Sequence, residues 1–141
     1  MGTNTLLENF RTELIELSSD RCEYCTMPQF STFYTYHIEH VISRKQGGPD
    51  LLENLAYACP ACNRYKGSSI VSYDYTTEEI ELLFHPRRQI WNEHFQLLPN
   101  GKLKSFSKAG EGTIRILQMN LPIRVEERLM AISKGYLLSF S

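Results

Sequence analysis

Residues 37–67 read HIEHVISRKQGGPDLLENLAYACPACNRYKG, and no other stretch of the chain is as informative. Near its end stands a Cys-x-x-Cys pair, Cys59 and Cys62, and a second such pair, Cys22 and Cys25, precedes it. Thiolates spaced in this way bind tetrahedral Zn²⁺, because each short turn directs two sulfur atoms at one ion. We therefore predict a structural zinc site whose ligands are these four cysteines.

Other uses of four cysteines are two disulfides, a redox-active pair or buried free thiols. Disulfide frameworks are typical of small secreted domains, whereas the first residues here, MGTNTLLENFRTELIEL, are amphipathic and acidic and do not resemble a signal peptide. No stretch approaches the roughly 20 apolar residues of a membrane span. We therefore favour zinc over the other uses, and we expect a cytoplasmic protein without a membrane partner.

The length of 141 residues predicts a single domain over 1–141, with a core at about 20–70 and an extension at about 71–141. A content of 42% hydrophobic and 22% charged residues is typical of globular proteins. The net charge of −1 does not indicate nucleic-acid binding, but residues 87–108 carry five basic side chains against one acidic. This segment could form a basic surface beside a functional site or, equally, a solvated hairpin.

Apolar periodicity, β-propensity and turn residues predict both helices and strands. In the first half we predict a helix from Thr3 to about Ser18 with Thr3 or Asn4 as N-cap, a strand at 33–38 running into Glu39 and His40, a flexible connection at 43–53, a strand at Leu55–Ala58, and a short helix from Pro60 that stops near Gly67. In the second half we predict a helix N-cap at Thr76 or Thr77, a hairpin around Asn100 and Gly101, a helix from Gly112 to Met119, and a helix from Pro122 to about Leu138 whose apolar face is Val125, Leu129 and Ile132.

Several single residues have more than one interpretation. Trp91 and Phe95 are expected in the core, and His85 and His94 are expected to pack within the extension rather than to contact phosphate. His37 could be a ligand or a substrate contact, although a strand histidine held by a local hydrogen bond is the more common outcome.

The chemistry of the central stretch is that of phosphodiester hydrolysis, which needs an activated water, stabilisation of phosphate charge and help for the leaving oxygen. The imidazole of His40 can accept a proton from water. Glu39 and Asn63 are oxygen donors of the kind that Mg²⁺ prefers, and Cys62 would position Asn63. Neighbouring strand residues face opposite sides, so Glu39 and His40 would flank one reacting group only at a strand end or bulge. The amide of Asn54 can brace the loop and orient His40.

The stretch from Arg21 to Ser68 resembles the HNH endonuclease family, whose core is a ββα-metal motif that zinc staples in many bacterial members. The matching features are Cys22 and Cys25, the EHVIS element with Glu39 and His40, Gly47 and Gly48, Asn54 before Leu55, and the segment ACPACNRYKG. The resemblance implies that His40 is the general base and that Glu39 and Asn63 hold the catalytic metal. It also makes Asn54 the middle asparagine of the motif.

The chain departs from the family pattern at two positions. The last metal ligand of the family is often histidine, whereas this chain has Asn63 there, which gives an HNN variant that also occurs in active relatives. The position after EHVI, which is usually proline in the family, is Ser43 here. The resemblance covers about a third of the chain. It implies an α+β fold with a zinc-stapled ββα-metal (HNH, His-Me finger) core, an N-terminal helix and a C-terminal hairpin-plus-helices extension. The segments LFHPRRQIWNEHF and EGTIRILQMNLPIR also resemble an extension that follows such domains in many bacterial proteins.

The resulting hypothesis is a metal-dependent endonuclease with structural Zn²⁺ and catalytic Mg²⁺ or Mn²⁺, acting on double-stranded DNA and leaving 5′-phosphate and 3′-hydroxyl ends. The basic residues that flank the site are candidate phosphate contacts: Arg44, Lys45, Arg64 and Lys66. A homodimer would suit double-strand cutting. Two alternatives stay open, namely the same chemistry on RNA and a non-catalytic zinc module that binds nucleic acid or protein.

Overall fold

The computed structural model describes residues 6–139, so the predicted N-caps Thr3 and Asn4 lie outside the described residues. Residues 6–8 are helical and are followed by a turn at Asn9 and Phe10, after which helix α1 (Arg11–Ser18) buries Leu14 against the protein core. It ends at Ser19, which has a left-handed backbone with φ of 55°. Leu17 is exposed, so the buried face of this helix is narrower than the sequence predicts.

Two short antiparallel strands followed by a helix form the centre of the molecule. Strand β1 (His37–His40) pairs with β2 (Leu55–Ala58), with Glu39 opposite Ala56 and His40 opposite Leu55. The helix α2 (Pro60–Lys66) begins directly after β2. Proline is favoured at the first helical position, because the N–H that it lacks would have no acceptor within the helix there. It ends at Gly67, whose positive φ of 50° agrees with the predicted stop.

The connection between β1 and β2 contains two turns of 3₁₀ helix, Arg44–Gln46 and Leu52–Asn54. Gly47 ends the first turn with φ of 95°. A side chain at Gly48 would collide with the Ile42 carbonyl, because its Cβ would lie 1.7 Å from that oxygen. The two glycines therefore allow the loop to fold back onto itself.

The remaining elements belong to the second half of the chain. They are β3 (Val71–Asp74), β4 (Glu79–Leu82), β5 (Phe95–Leu97), β6 (Leu103–Ser105), α3 (Lys108–Ile116) and α4 (Pro122–Ser133). Within the described residues the strands form three separate two-stranded antiparallel sheets, β1–β2, β3–β4 and β5–β6. The fold is thus a mixture of helices and small antiparallel sheets. No helix among residues 6–139 has both the length and the apolar character needed to cross a membrane.

Several predicted elements differ from the observed ones. The strand predicted at 33–38 is wrong over residues 33–36, because the strand starts at His37 and Phe33 is fully exposed. The helix N-cap predicted at Thr76 or Thr77 is also wrong, since these residues form the turn between β3 and β4, where Asp74 accepts their backbone N–H groups. The hairpin around Asn100 and Gly101 is confirmed by the pairing of β5 with β6.

The last two helices also differ from prediction. Helix α3 begins four residues earlier than predicted, because Ser107 caps it by accepting a hydrogen bond from Gly110 N–H at 3.0 Å. Helix α4 stops at Ser133. Its buried residues are Arg124, Arg128 and Ala131, whereas Leu129 of the predicted apolar face is exposed.

Candidate functional site

The four cysteines come together in the structure. Cys22, Cys25, Cys59 and Cys62 are all buried, and their sulfur atoms lie within 4.8 Å of one another. The Sγ atoms of Cys25 and Cys59 are 3.7 Å apart. Four sulfurs at the usual zinc–sulfur length around one tetrahedral ion would be about 3.8 Å apart. The donor set and its spacing therefore fit a structural Zn²⁺ ion.

Backbone groups and one arginine surround this cluster. The N–H of Cys25 points at Cys22 Sγ (3.5 Å), and the N–H of Cys62 points at Cys59 Sγ (3.4 Å). Arg124 of α4 places Nη2 at 2.9 Å from Cys62 Sγ. Donors of this kind stabilise thiolate charge and orient metal ligands. The position of Arg124 beside the cysteines was not predicted, since the apolar pattern of α4 indicates a different buried face.

Glu39 points from β1 into the protein. It is 6% exposed, and its Oε1 accepts a hydrogen bond from the Tyr24 hydroxyl at 2.5 Å and lies 3.5 Å from Lys66 Nζ. Burial raises the pKa of Glu39 to about 7, and the neighbouring Lys66 and Tyr24 only partly oppose this. Burial also raises the pKa of Tyr24, so its phenol keeps the proton that it donates.

Lys66 does not lie on the surface, which corrects its prediction as a phosphate contact. It is 2% exposed, and its Nζ donates to the carbonyl oxygens of Val41 at 2.8 Å and His40 at 3.3 Å. The ammonium group at the end of α2 thus satisfies backbone acceptors at the end of β1 and the carboxylate of Glu39. Its place indicates a structural contact between α2 and β1 rather than a contact with substrate.

His40 is the last residue of β1, and its side chain turns toward the loop. Its Nε2 lies 2.7 Å from Asp50 Oδ1. The same oxygen of Asp50 accepts a hydrogen bond from Arg44 Nε at 2.8 Å. The hydrogen bond from Arg44 and then that from His40 lower the pKa of Asp50, so this group is a carboxylate near neutral pH. Asp50 was not among the predicted site residues.

The amide of Asn54 bonds the loop on both sides. Its Oδ1 accepts from Ile42 N–H at 3.0 Å, and its Nδ2 donates to the carbonyls of Ile42 at 2.8 Å and Pro49 at 3.0 Å. Asn54 is 4% exposed. Ile42 lies two residues after His40, and Pro49 lies directly before Asp50. Asn54 therefore holds the backbone near both members of the His40–Asp50 pair.

Asn63 lies on α2 directly after the zinc-ligand candidate Cys62. Within residues 6–139 no hydrogen bond of its side-chain amide is found, so the amide oxygen is available to a ligand. The carboxylate of Glu39 and the amide of Asn63 are the donor types that suit Mg²⁺ or Mn²⁺. The pairing of β1 with β2 shows no bulge at Glu39 or His40, so the two side chains leave β1 on opposite faces. Of the two conditions under which they could flank one reacting group, only the strand end is met, because β1 ends at His40.

The other candidate residues lie at the surface or in the extension. Arg44, Lys45 and Arg64 are exposed, and Arg64 also lies 5.0 Å above the ring of Tyr65. His37 is exposed on β1. His94 bonds Ser107 through Nδ1 at 2.6 Å, as expected for a histidine that packs within the extension.

These observations define a mixed helix-and-strand fold with a cluster of four cysteines that could bind a metal ion. Residues 22–69, about a third of the chain, match the family model described as HNH endonuclease. This confirms the resemblance seen in the sequence. Neither the curated proteins nor the solved structures include a significant match to the chain.

Proposed function

We propose that the chain is a metal-dependent endonuclease that hydrolyses phosphodiester bonds in DNA. The observation that carries this proposal is the setting of His40. This histidine ends a strand of the matched HNH region and has one ring nitrogen engaged by a carboxylate. A histidine held in this way can take a proton from water with its other nitrogen.

The metal-holding roles proposed for Glu39 and Asn63 rest on their donor types and on the family match, whereas the supporting roles rest on observed contacts. Glu39 and Asn63 would hold a divalent cation, Mg²⁺ or Mn²⁺, which when bound neutralises charge on the phosphate and on the leaving 3′ oxygen. Tyr24 and Lys66 orient the carboxylate of Glu39. Asn54 holds the loop beside His40. The products would carry 5′-phosphate and 3′-hydroxyl ends.

The arrangement of strands and helix supports a ββα-metal interpretation of the core. β1 and β2 are antiparallel neighbours, and α2 follows them and contacts β1 through Lys66. One cysteine pair precedes β1, and the other lies where β2 meets α2. We propose that structural Zn²⁺ on the four cysteines ties the segment before β1 to this junction.

The proposed substrate is double-stranded DNA. Lys45 and Arg64 are exposed cations near the ends of β1 and α2, and exposed cations contact phosphate oxygens without reading sequence. Arg44 is exposed as well, but its charge is partly neutralised by Asp50. The basic segment 87–108 contributes less free charge than its composition suggests, because Arg87 pairs with Glu23 and Lys108 pairs with Glu79. Cutting both strands with one small site would need two copies, so we propose a homodimer on DNA.

A cleavage assay tests the proposal. Zinc-loaded protein is incubated with supercoiled plasmid, single-stranded DNA and RNA, each with Mg²⁺, with Mn²⁺ or with neither. We expect nicked or linear plasmid only where a divalent ion is added. Binding of nucleic acid without cleavage under all of these conditions would contradict the proposal and favour a non-catalytic zinc module. Cleavage of RNA alone would correct the substrate.

A further inference from the structure

Asp50 contacts Nε2 of His40, which is the ring nitrogen that faces the loop. We propose that Asp50 is a positioning residue that holds the His40 ring in one orientation and one tautomer, with the proton on Nε2 and the lone pair on Nδ1. This inference rests on the proposed nuclease function and adds to it a carboxylate that was not among the predicted site residues.

The geometry of the contact determines which atom carries the proton. The Nε2–Oδ1 distance is 2.7 Å, which is a short hydrogen bond. An ionised carboxylate only accepts hydrogen bonds, so the histidine nitrogen that faces it must be the donor. In a neutral imidazole the other nitrogen then has the free lone pair. Nδ1 of His40 is thus the atom prepared to accept a proton.

The carboxylate itself is held in place. Arg44 Nε donates to the same Oδ1 at 2.8 Å, and the charge of Arg44 favours the ionised form of Asp50. The backbone before Asp50 is held as well, since Asn54 Nδ2 bonds the Pro49 carbonyl at 3.0 Å. A Cβ at Gly48 would lie 2.6 Å from that Nδ2, so the loop needs a glycine to approach Asn54. The loop therefore presents Asp50 to His40 as a supported contact.

A simpler interpretation is that Asp50 is one member of a surface ion pair with Arg44. The side chain of Asp50 is 32% exposed, and exposed ion pairs contribute little to stability. The His40 side chain, however, is only 14% exposed, and its Nε2 contacts the Asp50 oxygen that also accepts from Arg44. The two interpretations differ in one measurable quantity, which is the tautomer of His40.

The test compares wild type with Asp50→Ala and Asp50→Asn, with Glu53→Gln as matched control. Glu53 is exposed, lies on the same loop and is not part of the proposed site, so its substitution removes one negative charge without touching His40. Long-range ¹H–¹⁵N NMR of the ring nitrogens at about pH 8, where most imidazoles are neutral, reports the tautomer directly. Plasmid cleavage under steady-state conditions gives kcat and KM.

We expect wild type and Glu53→Gln to show His40 protonated at Nε2. In Asp50→Ala the tautomers should become mixed, and kcat should fall by about tenfold or more while KM does not rise. Asp50→Asn keeps an oxygen acceptor at the same place, so its tautomer ratio and kcat should lie between the two. A higher kcat and a more uniform His40 tautomer in Asp50→Asn than in Asp50→Ala would distinguish positioning of His40 from a general loss of loop structure.

The inference is overturned if Asp50→Ala keeps the wild-type tautomer, or if its kcat equals that of wild type. Because the NMR measurement needs no substrate, it decides the matter even for a protein that cleaves nothing. Absence of cleavage by wild type would instead overturn the proposed function and leave the His40–Asp50 contact to be judged by the tautomer alone.

Discussion

Asn54 connects the two ends of the loop that joins β1 to β2. Its amide uses one acceptor and two donor contacts, to Ile42 N–H, Ile42 carbonyl and Pro49 carbonyl. A buried backbone group that loses its partner costs about 1–3 kcal/mol. The three contacts also need an oxygen and an NH₂ group at opposite ends of one short side chain, which only an asparagine supplies at this length.

The substitution Asn54→Asp tests this requirement. The carboxylate can still accept from Ile42 N–H, but its second oxygen would face two carbonyl oxygens and repel them. We expect a loss of about 1–3 kcal/mol in the free energy of unfolding, measured by urea denaturation with zinc in excess. The exposed Asn92→Asp should change it by less than about 0.5 kcal/mol. Equal unfolding midpoints for Asn54→Asp and wild type would show that the loop does not depend on this amide.

Some of the site residues could be predicted because their spacing in the sequence carries the information. The paired cysteines are an example, since a Cys-x-x-Cys turn has a local geometry, and they are brought together as predicted. Asp50 and Tyr24 could not be predicted, because each reaches its partner across a loop or between segments. Lys66 was misplaced for a related reason. A lysine on a short helix is usually exposed, and only packing against β1 shows that its Nζ points inward.

At the scale of elements, α4 buries two arginines instead of an apolar face. Arg128 donates to the carbonyls of Gly101 at 2.7 Å and Met119 at 2.6 Å. Arg124 donates to the Leu117 carbonyl at 2.7 Å and to the sulfur of Cys62. Buried charges need partners of this kind. One end of α4 thus contacts the cysteine cluster, and the contact comes from outside the matched region 22–69.

We expect Arg124→Ala to weaken zinc binding by about 10–100-fold, as is usual when a residue supporting a metal ligand is lost. Competition with a chromogenic zinc chelator measures the affinity, and it does not depend on nuclease activity. Arg124→Lys should recover part of the loss because it keeps a charged donor. The exposed Arg115→Ala on α3 is the matched control. An unchanged zinc affinity in Arg124→Ala would mean that Arg124 contributes only to packing between α4 and the elements around it.

The strands and helices that were predicted correctly are those with a local signal at both ends. β2 is bounded by Asn54 and Cys59, and α2 is bounded by Pro60 and Gly67, and both occur where predicted. The β3–β4 hairpin was missed although both strands alternate apolar and polar residues, and their apolar residues do not face the core. Val71, Tyr73, Ile80 and Leu82 are all exposed on one face.

At the scale of the whole molecule, the second half of the chain packs around the first cysteine pair. Trp91 Nε1 donates to the Tyr24 carbonyl at 2.8 Å, and Arg87 pairs with Glu23 between the two cysteines of that pair. Arg21, next to Cys22, donates to the Tyr136 carbonyl at 2.9 Å. The cysteine cluster therefore contacts both halves of the chain, and we expect folding of the two halves to depend on a Zn²⁺ ion bound there.

Removal of the two metals should have different consequences. A zinc-specific chelator should unfold the protein, since four buried thiols without an ion lose a contribution of about 10–16 kcal/mol that structural zinc makes in small domains. Removal of Mg²⁺ should leave the far-ultraviolet circular dichroism spectrum unchanged and stop cleavage. A folded protein after complete loss of zinc, verified by elemental analysis, would contradict the structural role assigned to the cysteines.

The central claim is that His40 activates water in a zinc-braced site, and one comparison tests it most directly. The rate of Mg²⁺-dependent plasmid cleavage is measured for wild type, for His40→Ala and for His37→Ala, with equal zinc content and equal circular dichroism spectra. His37 is an exposed histidine on the same strand, so it controls for loss of an imidazole from β1. We predict that His40→Ala lowers the rate by about 100-fold or more and that His37→Ala cuts like wild type. Cleavage by His40→Ala at the wild-type rate would contradict the account.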